Sequence, residues 1–492
     1  MSSFLSRATL PSVAASVAKP GYSLDAVSTG IVHFGPGAFH RVHQAWYVDA
    51  LLQRDPRWGI CEVSLRSKDV RDKLVPQDGL YTIATFDATT SYQVVGAIKE
   101  VLVASEDPAA VLQRLVSPQA HIVTMTVTEK GYCLGADGAL DLSHPDIASD
   151  IARPHAPVSL IGYLVEGLAR RRAAGAPPIT VISCDNLVDN GVRLKNAVVQ
   201  LAETRDVALA RWIESAIAFP RTMVDSITPA TTDALRQTVA SALGVQDRWP
   251  VQRESFVQWV IEDSFSGVKP KLESVGVTLT DDVPAYDRAK LRLLNGAHST
   301  LAYVGLLAGY ETVAEAIGDP QLEAFIRRMM TDDVLPTLKA PRGLDLNAYL
   351  DAILKRFHNP VIKHALAQIA WDGSQKLPFR ILGTIADNLA AQRSIERLCL
   401  SIAAWMQFVR RTAVEGRRVT DPLARELFEI GSACTNHAAA DLPRFLTLAS
   451  VFPQNIATNP RFKSALARAY DSMRGGEGSW PLDLRDLLQS RL

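Results

Sequence analysis

The sequence predicts an α/β protein whose first half builds a mostly parallel sheet and whose second half is mainly α-helical. Three observations carry this expectation. Short apolar runs alternate with helical patterns over the first half. β-Branched runs almost vanish after about Tyr286. An acidic, proline-containing stretch, Asp281–Pro284, separates the two regimes. Apolar strands alternating with helices are buried on both faces and pair in parallel. The expected domains are residues 1–283 and 284–492.

Gly30–Phe34 is the first strand and runs into Gly35-Pro36-Gly37. A helical pattern follows from Ala38 to about Gln53, and Gly59–Leu65 reads as the second strand. His121–Val127 and Ile179–Cys184 are two more strands of the fully buried kind, with helices near Pro108–Leu115 and Ser159–Arg172 completing the β-α-β order. The run Arg170–Arg172 reads as a solvated helix end. In the second half, helices are expected over Leu322–Met330, Leu344–Phe357, Asn359–Ile369, Ile381–Gln392, Ser394–Arg411 and Pro422–Ile430, with a surface loop at Gly475–Gly478.

The 492 residues are too many for one small core. Fifty-two basic and 52 acidic residues leave no net charge, which argues against nucleic-acid and anionic-membrane partners. Cys61, Cys133, Cys184, Cys399 and Cys434 are scattered and form no CxxC pair, so neither a disulfide frame nor a cysteine zinc site is expected. No apolar run reaches about 18 residues, and Met1–Lys19 reads as an ordinary arm rather than a secretory signal. A cytoplasmic enzyme is the expectation.

A strand, a glycine turn and a helix are how a dinucleotide fold presents backbone N–H groups to a pyrophosphate. Here the turn is Gly35, Pro36, Gly37, Ala38 and Phe39, with His40 at the position of the third glycine of GxGxxG. The first domain is therefore expected to be a Rossmann-type dinucleotide-binding domain. After the second strand, Asp69 would bind ribose hydroxyls and favour NAD, whereas Arg66 and Lys68 would attract the extra phosphate of NADP. A plain charged loop is the competing reading. The turn accounts for His33, His40 and His43, and no further ligand is spaced to make them a metal site.

Lys290, Asn295 and His298 lie within an otherwise apolar helical stretch containing Leu291, Leu293, Leu294, Leu301 and Val304. Burying polar groups costs free energy unless they are paired or used, and lysine loses its proton readily on burial. At about 100° per residue, His298 falls roughly 80° and Asn295 roughly 140° from Lys290, so all three can border one cavity. The alternative is a core helix with a snorkelling lysine and a satisfied histidine. Asn186 follows an apolar strand, where open α/β sheets bind ligands, or forms an Asx turn capping the next helix. Phe219–Asp225 offers an acid, Asp225, in a loop. Gln258–Asp263 reads as a strand with its acids in a cleft or at the surface. Asp372–Arg380 reads as a polar loop with two cations, Lys376 and Arg380.

Together these stretches resemble the polyol-specific long-chain dehydrogenase family, which includes mannitol 2-dehydrogenases and fructuronate (mannonate) reductases. The matching segments are Gly35–Gln44, Gln77–Thr82, Thr128–Tyr132, Ser183–Asn186, Gln258–Asp263, Lys290–Ser299 and Asp372–Pro378. The resemblance implies a zinc-independent NAD(P)-dependent dehydrogenase. It places the catalytic lysine at Lys290, oxyanion-binding asparagines at Asn186 and Asn295, and a substrate-orienting histidine at His298. An active-site acid falls on Asp225 and a substrate-binding lysine on Lys376. Two positions depart from the pattern: Gln368 stands where mannitol dehydrogenases often have arginine, and Lys68 where NAD-specific members are often acidic. The first expectation is interconversion of D-mannitol and D-fructose. The alternative is fructuronate reduction to D-mannonate, for which Lys376, Arg380 and His364 are the spare cations that a substrate carboxylate needs. A non-catalytic dinucleotide sensor is the reading from a different class. Oligomeric state is left open, with a monomer among the options.

Overall fold

The computed structural model describes residues 3–87, 89–135, 137–361, 364–474, 483 and 488. It separates into two units, Met1–Val283 and Pro284–Leu492. The strands of the first unit are β1 (Thr29–Phe34), β2 (Gly59–Ser64), β3 (Tyr81–Phe86), β4 (Ser91–Val95), β5 (Ile98–Val103), β6 (Ile122–Met125), β7 (Thr180–Ser183), β8 (Thr222–Asp225), β9 (Val251–Glu254), β10 (Gln258–Glu262) and β11 (Thr278–Thr280).

Five of these form the main sheet, in the order β5-β2-β1-β6-β7, and every neighbouring pair is parallel. All residues of β1, β2, β6 and β7 are buried. The reason is alternation between two covered faces. Val32, Phe34, Val63, Val123, Met125 and Val181 pack on one side, and Ile31, Ile60, Ile122 and Ile182 on the other. This is the doubly wound Rossmann arrangement. Strand order reverses between β1 and β6, so a crevice opens beyond their carboxyl ends.

Several first-unit segments differ from their sequence reading. The Ala38–Gln53 pattern is two helices, Ala38–Val42 and Gln44–Leu52, broken at His43 (φ −115°, ψ −90°). The His43 ring is held by the Gln258 carbonyl at 2.8 Å and by the Gln44 amide at 2.9 Å. Phe219–Asp225 is not a loop throughout. Its end is β8, paired antiparallel to β10 with Asp225 opposite Gln258. The hairpin β3–β4 and strand β9 make a further small sheet. Arg171 is buried rather than solvated, and its guanidinium donates to the carbonyls of Leu115, Ser117 and Pro177. It thereby satisfies helix-end and loop backbone that would otherwise be costly to bury.

The second unit is mainly helical, and among the described residues three of its helices contain π segments, Lys290–Asn295, Met329–Val334 and Pro378–Leu382. Each ends on an i→i−5 hydrogen bond: Gly296 N–H to Leu291 O, Leu335 N–H to Met330 O, and Gly383 N–H to Pro378 O. The Asp372–Arg380 stretch is accordingly helical, Gly373–Leu377 leading into the third π segment. Among the described residues of Asn359–Ile369, only Leu366–Ile369 are helical. Pro360 disfavours helix in the residue before it, and the Asn359 side chain accepts the Val361 N–H in a local turn. Gly475–Gly478 lies outside the described residues. Among the described residues no helix is long and apolar enough to cross a membrane.

Candidate active site

In the first unit the candidate cofactor residues line the β1 exit. Gly35 has φ +89°, and a Cβ there would sit 2.1 Å from the Thr126 carbonyl oxygen, so only glycine fits. Gly37 is exposed and caps the Ala38–Val42 helix. A Cβ on it would meet only the Gly35 oxygen, at 3.9 Å, so there is open space in front of these N–H groups. Pro36 is buried, and Ala38 and Phe39 are half-buried. This cradle fits a dinucleotide pyrophosphate. His40, at the place of the third glycine, packs face to face on His33, with ring centroids 3.3 Å apart. It also lies 3.4 Å from the buried Glu62 carboxyl.

Beyond β2 the two cations are paired. Arg66 bonds Asp146 at 2.5 Å and Lys68 reaches Glu106 at 2.5 Å. Asp69 is exposed at the start of the Asp69–Leu74 helix.

Asn186 is exposed in the loop after β7. The next helix starts at Asn190 with Asp189 as its cap residue, so the Asx-cap reading of Asn186 does not hold. The residue before it, Asp185, carries a network that the sequence reading did not assign. Its carboxylate accepts the N–H groups of Val127 (3.2 Å) and Thr128 (2.8 Å) and the Tyr132 hydroxyl (2.8 Å). Thr128 has φ 65° and ψ 168°, a conformation that costs a β-branched residue about 1–3 kcal/mol. The available signal was a carboxylate at a strand's exit two residues beyond a serine, which periodicity does not flag. Asp225 is buried at the end of β8.

In the second unit Lys290 is buried as the first residue of a π segment and Asn295 is its last. The wider π turn corrects the angular estimate. With i→i+5 bonding, Asn295 lies about one turn after Lys290 rather than partly round the helix. His298 follows in the Gly296–Leu307 helix, 4.5 Å from the Phe357 ring and 5.3 Å from His364, centroid to centroid. The π segment containing Arg380 packs against the Lys290 segment. Arg380 Nη1 donates to Ser299 Oγ at 3.1 Å and to the Asn295 carbonyl at 3.5 Å. Lys376 Nζ donates to the carbonyls of Trp371 (2.6 Å) and Ile369 (3.4 Å).

Burial and then the neighbouring His364, Arg356 and Arg380 hold His298 far below the usual imidazole range. Burial and then Lys376 lower His364, so His364 is neutral at pH 7 and is not the spare cation expected of it. Burial and then Arg380 lower Lys376, and burial brings Arg380 down to about 10. Among the described residues neither cation forms an ion pair with a carboxylate, although Asp372 and Asp421 favour the charged form of Lys376 through space. Among the described residues, His298 Nε2 and His364 Nδ1 are buried without hydrogen-bond partners. The structure thus groups Asn295, His298, Lys376 and Arg380 in the second unit. Among the described residues no three His, Cys, Asp or Glu side chains are placed to hold a metal ion.

Comparison with known proteins places both units. Residues 29–274 match the family model of the mannitol dehydrogenase Rossmann domain, and residues 282–474 that of the mannitol dehydrogenase C-terminal domain. D-mannonate oxidoreductase of Escherichia coli K12 is 42% identical over 467 residues, 93% of this chain and 96% of the relative. The solved Pseudomonas fluorescens mannitol 2-dehydrogenase, a ternary complex with NAD and D-mannitol, is 38% identical, covers 95% of this chain and 96% of its own, and superposes with a TM-score of 0.81. A substrate-free D-sorbitol dehydrogenase structure is 34% identical, with a TM-score of 0.87 over 94% of this chain and 97% of its own.

Proposed function

The chain belongs to the mannitol dehydrogenase family and is an NAD(P)-dependent oxidoreductase acting on a CH–OH group, and on that premise we propose that its substrate pair is D-mannonate and D-fructuronate. One observation carries this choice over the mannitol expectation. Arg380 and Lys376 are half-buried, Arg380 lowers the proton affinity of Lys376, and neither forms an ion pair with a carboxylate among the described residues. Of the Arg380 guanidinium, only Nη1 is engaged among the described residues. Its remaining edge suits bidentate binding of a substrate carboxylate. The 42% identity to a D-mannonate oxidoreductase supports the same reading. Mannitol and fructose remain the second reading, supported by the likeness to the mannitol-bound structure.

NAD(P)⁺, when bound, accepts the hydride from the carbinol carbon. Lys290 in its neutral form takes the hydroxyl proton as general base, and gives it back in the reductive direction. The Asn295 amide donates to the oxygen as negative charge develops, with Asn186 as the second donor. His298 orients the substrate through Nε2. Asp225 keeps the place of a nearby acid that the family resemblance assigns it. Metal-free proton abstraction is part of the proposal. The pairing of Arg66 with Asp146 and of Lys68 with Glu106 supports NAD over NADP, because the cations that would meet a 2′-phosphate are already engaged.

The test is a spectrophotometric panel of mannitol, arabinitol, sorbitol, fructose, mannonate and fructuronate against NAD(H) and NADP(H). The fastest turnover is expected for mannonate and fructuronate with NAD(H). Turnover confined to uncharged substrates refutes the carboxylate reading and favours the second.

A further inference from the structure

We propose that Asp185 is a positioning residue for this reaction: it holds the strained Thr128 backbone at the exit of β6 and, through the adjacent peptide, aims Asn186. The proposal rests on the functional reading above only in its use of a bound dinucleotide and of Asn186.

The geometry is a strap across two neighbouring strand exits. The carboxylate comes from the β7 side, and all three of its donors come from the β6 side, namely the Val127 and Thr128 N–H groups and the Tyr132 hydroxyl. Tyr132 also meets the Ser183 hydroxyl at the end of β7. Asp185 is 9% exposed, so water competes little for its oxygens. Thr128 has φ 65°, which a threonine does not choose by itself. The two N–H groups precede the Thr128 φ rotation and the Tyr132 hydroxyl follows it, so one carboxylate ties together the chain on both sides of the strained residue. One residue earlier on the same strand exit, Thr126 Oγ1 donates to the Gly35 carbonyl at 2.7 Å. A continuous set of contacts therefore runs from the glycine turn through Thr126 and Thr128 to Asp185 and its neighbour Asn186. It borders the β1/β6 crevice, where doubly wound folds hold dinucleotides. A merely structural clamp would affect folding. A strap along this crevice also sets where the cofactor and the Asn186 amide lie.

The experiment uses the full chain with Asp185→Asn, Tyr132→Phe and the double variant Asp185→Asn with Thr128→Gly. NADH affinity is read by fluorescence titration, kcat and KM on the substrate that the wild type turns over, and folding by the unfolding midpoint. Asp185→Asn is expected to lower kcat by roughly 10- to 100-fold, the scale on which small misplacements cost rate, and to weaken NADH binding severalfold. Glycine takes positive φ without strain, so adding Thr128→Gly is expected to recover much of the NADH affinity. Folded Asp185→Asn with kcat and NADH affinity within twofold of wild type overturns the proposal. So does a loss that tracks only the folded fraction and shows no recovery with Thr128→Gly. If Asp185→Asn does not fold, Tyr132→Phe decides: a kcat loss of a few fold supports the proposal, and wild-type kcat overturns it. A wild type that turns over none of the panel refutes the functional reading alone, and NADH affinity then tests Asp185.

Discussion

Glu62 is the group whose removal should change the pH response of this protein most visibly. It projects from β2 next to His33 on β1, is fully buried, and among the described residues has no hydrogen-bond partner on either oxygen. Burial pushes its carboxyl from the usual 4.5 up to about 8, against the pull of Arg41. Between those values the folded chain keeps a proton that the unfolded chain has released, so stability falls as pH rises. His40 works in the opposite sense. Burial, followed by Arg41, lowers it from 6.5 to about 3, so its contribution rises with pH and is complete by about 6.5. His33 and His298 are lowered for the same leading reason. Above pH 6.5 the Glu62 effect is therefore no longer offset by these histidines. At about 1.4 kcal/mol per pH unit, the interval from 6.5 to about 8 amounts to about 2 kcal/mol. For a unit of this size that is roughly 4 °C in unfolding midpoint. Glu62→Gln removes the titration while keeping the shape. Midpoints measured by scanning fluorimetry should fall by about that much more in the wild type than in the variant between pH 6.5 and 8. Parallel curves for the two proteins over this interval would falsify the reasoning.

Three further outcomes are expected. Lys290→Ala should cut turnover by at least about 100-fold, the usual scale for general acid–base catalysis; a near-wild-type rate at neutral pH sinks the assignment. Gly35→Ala places a Cβ 2.1 Å from the Thr126 oxygen at a φ of +89°, so NADH affinity should drop at least about tenfold; unchanged titration would show that the turn does not bind the cofactor. Arg380→Lys keeps the charge but loses the planar fork. The KM for mannonate should rise about tenfold with a smaller change for mannitol, and equal effects on both would argue against carboxylate binding.

What the sequence made legible was the frame. β1, the glycine turn, β2, β6 and β7 announce themselves because a doubly covered strand must be apolar throughout and a turn at φ +89° must be glycine. The two-regime composition likewise reveals the helical half. Less was legible where long-range contacts decide. Arg171 looks like a surface charge until the helix-end carbonyl of Leu115 and the loop carbonyls of Ser117 and Pro177 are brought to it. β8 is a strand because β10 pairs with it, which the four residues Thr222–Asp225 do not signal alone. The His43 break depends on a carbonyl 215 residues away. At the candidate site the residue types at 290, 295 and 298 were readable. Their angular relation was not, because an apolar helical pattern does not reveal a π turn. His364 read as a cation by residue type, and burial beside Lys376 reverses that.

The paired π segments also bear on how this family can vary in length. A π turn is an α-helix carrying one surplus residue, so deleting a single residue within 290–295 would let the helix settle into ordinary α register. The side chains beyond the deletion would then keep roughly their present facing, because the widened turn already absorbs the surplus residue. Asn295 would stand four residues after Lys290, again about one turn from it, with His298 following on the same helix. The packed segment around Arg380 carries its own surplus residue and would face a narrower turn. Homologous chains can therefore lose one residue between Lys290 and Asn295 and still present both side chains on one face of the helix.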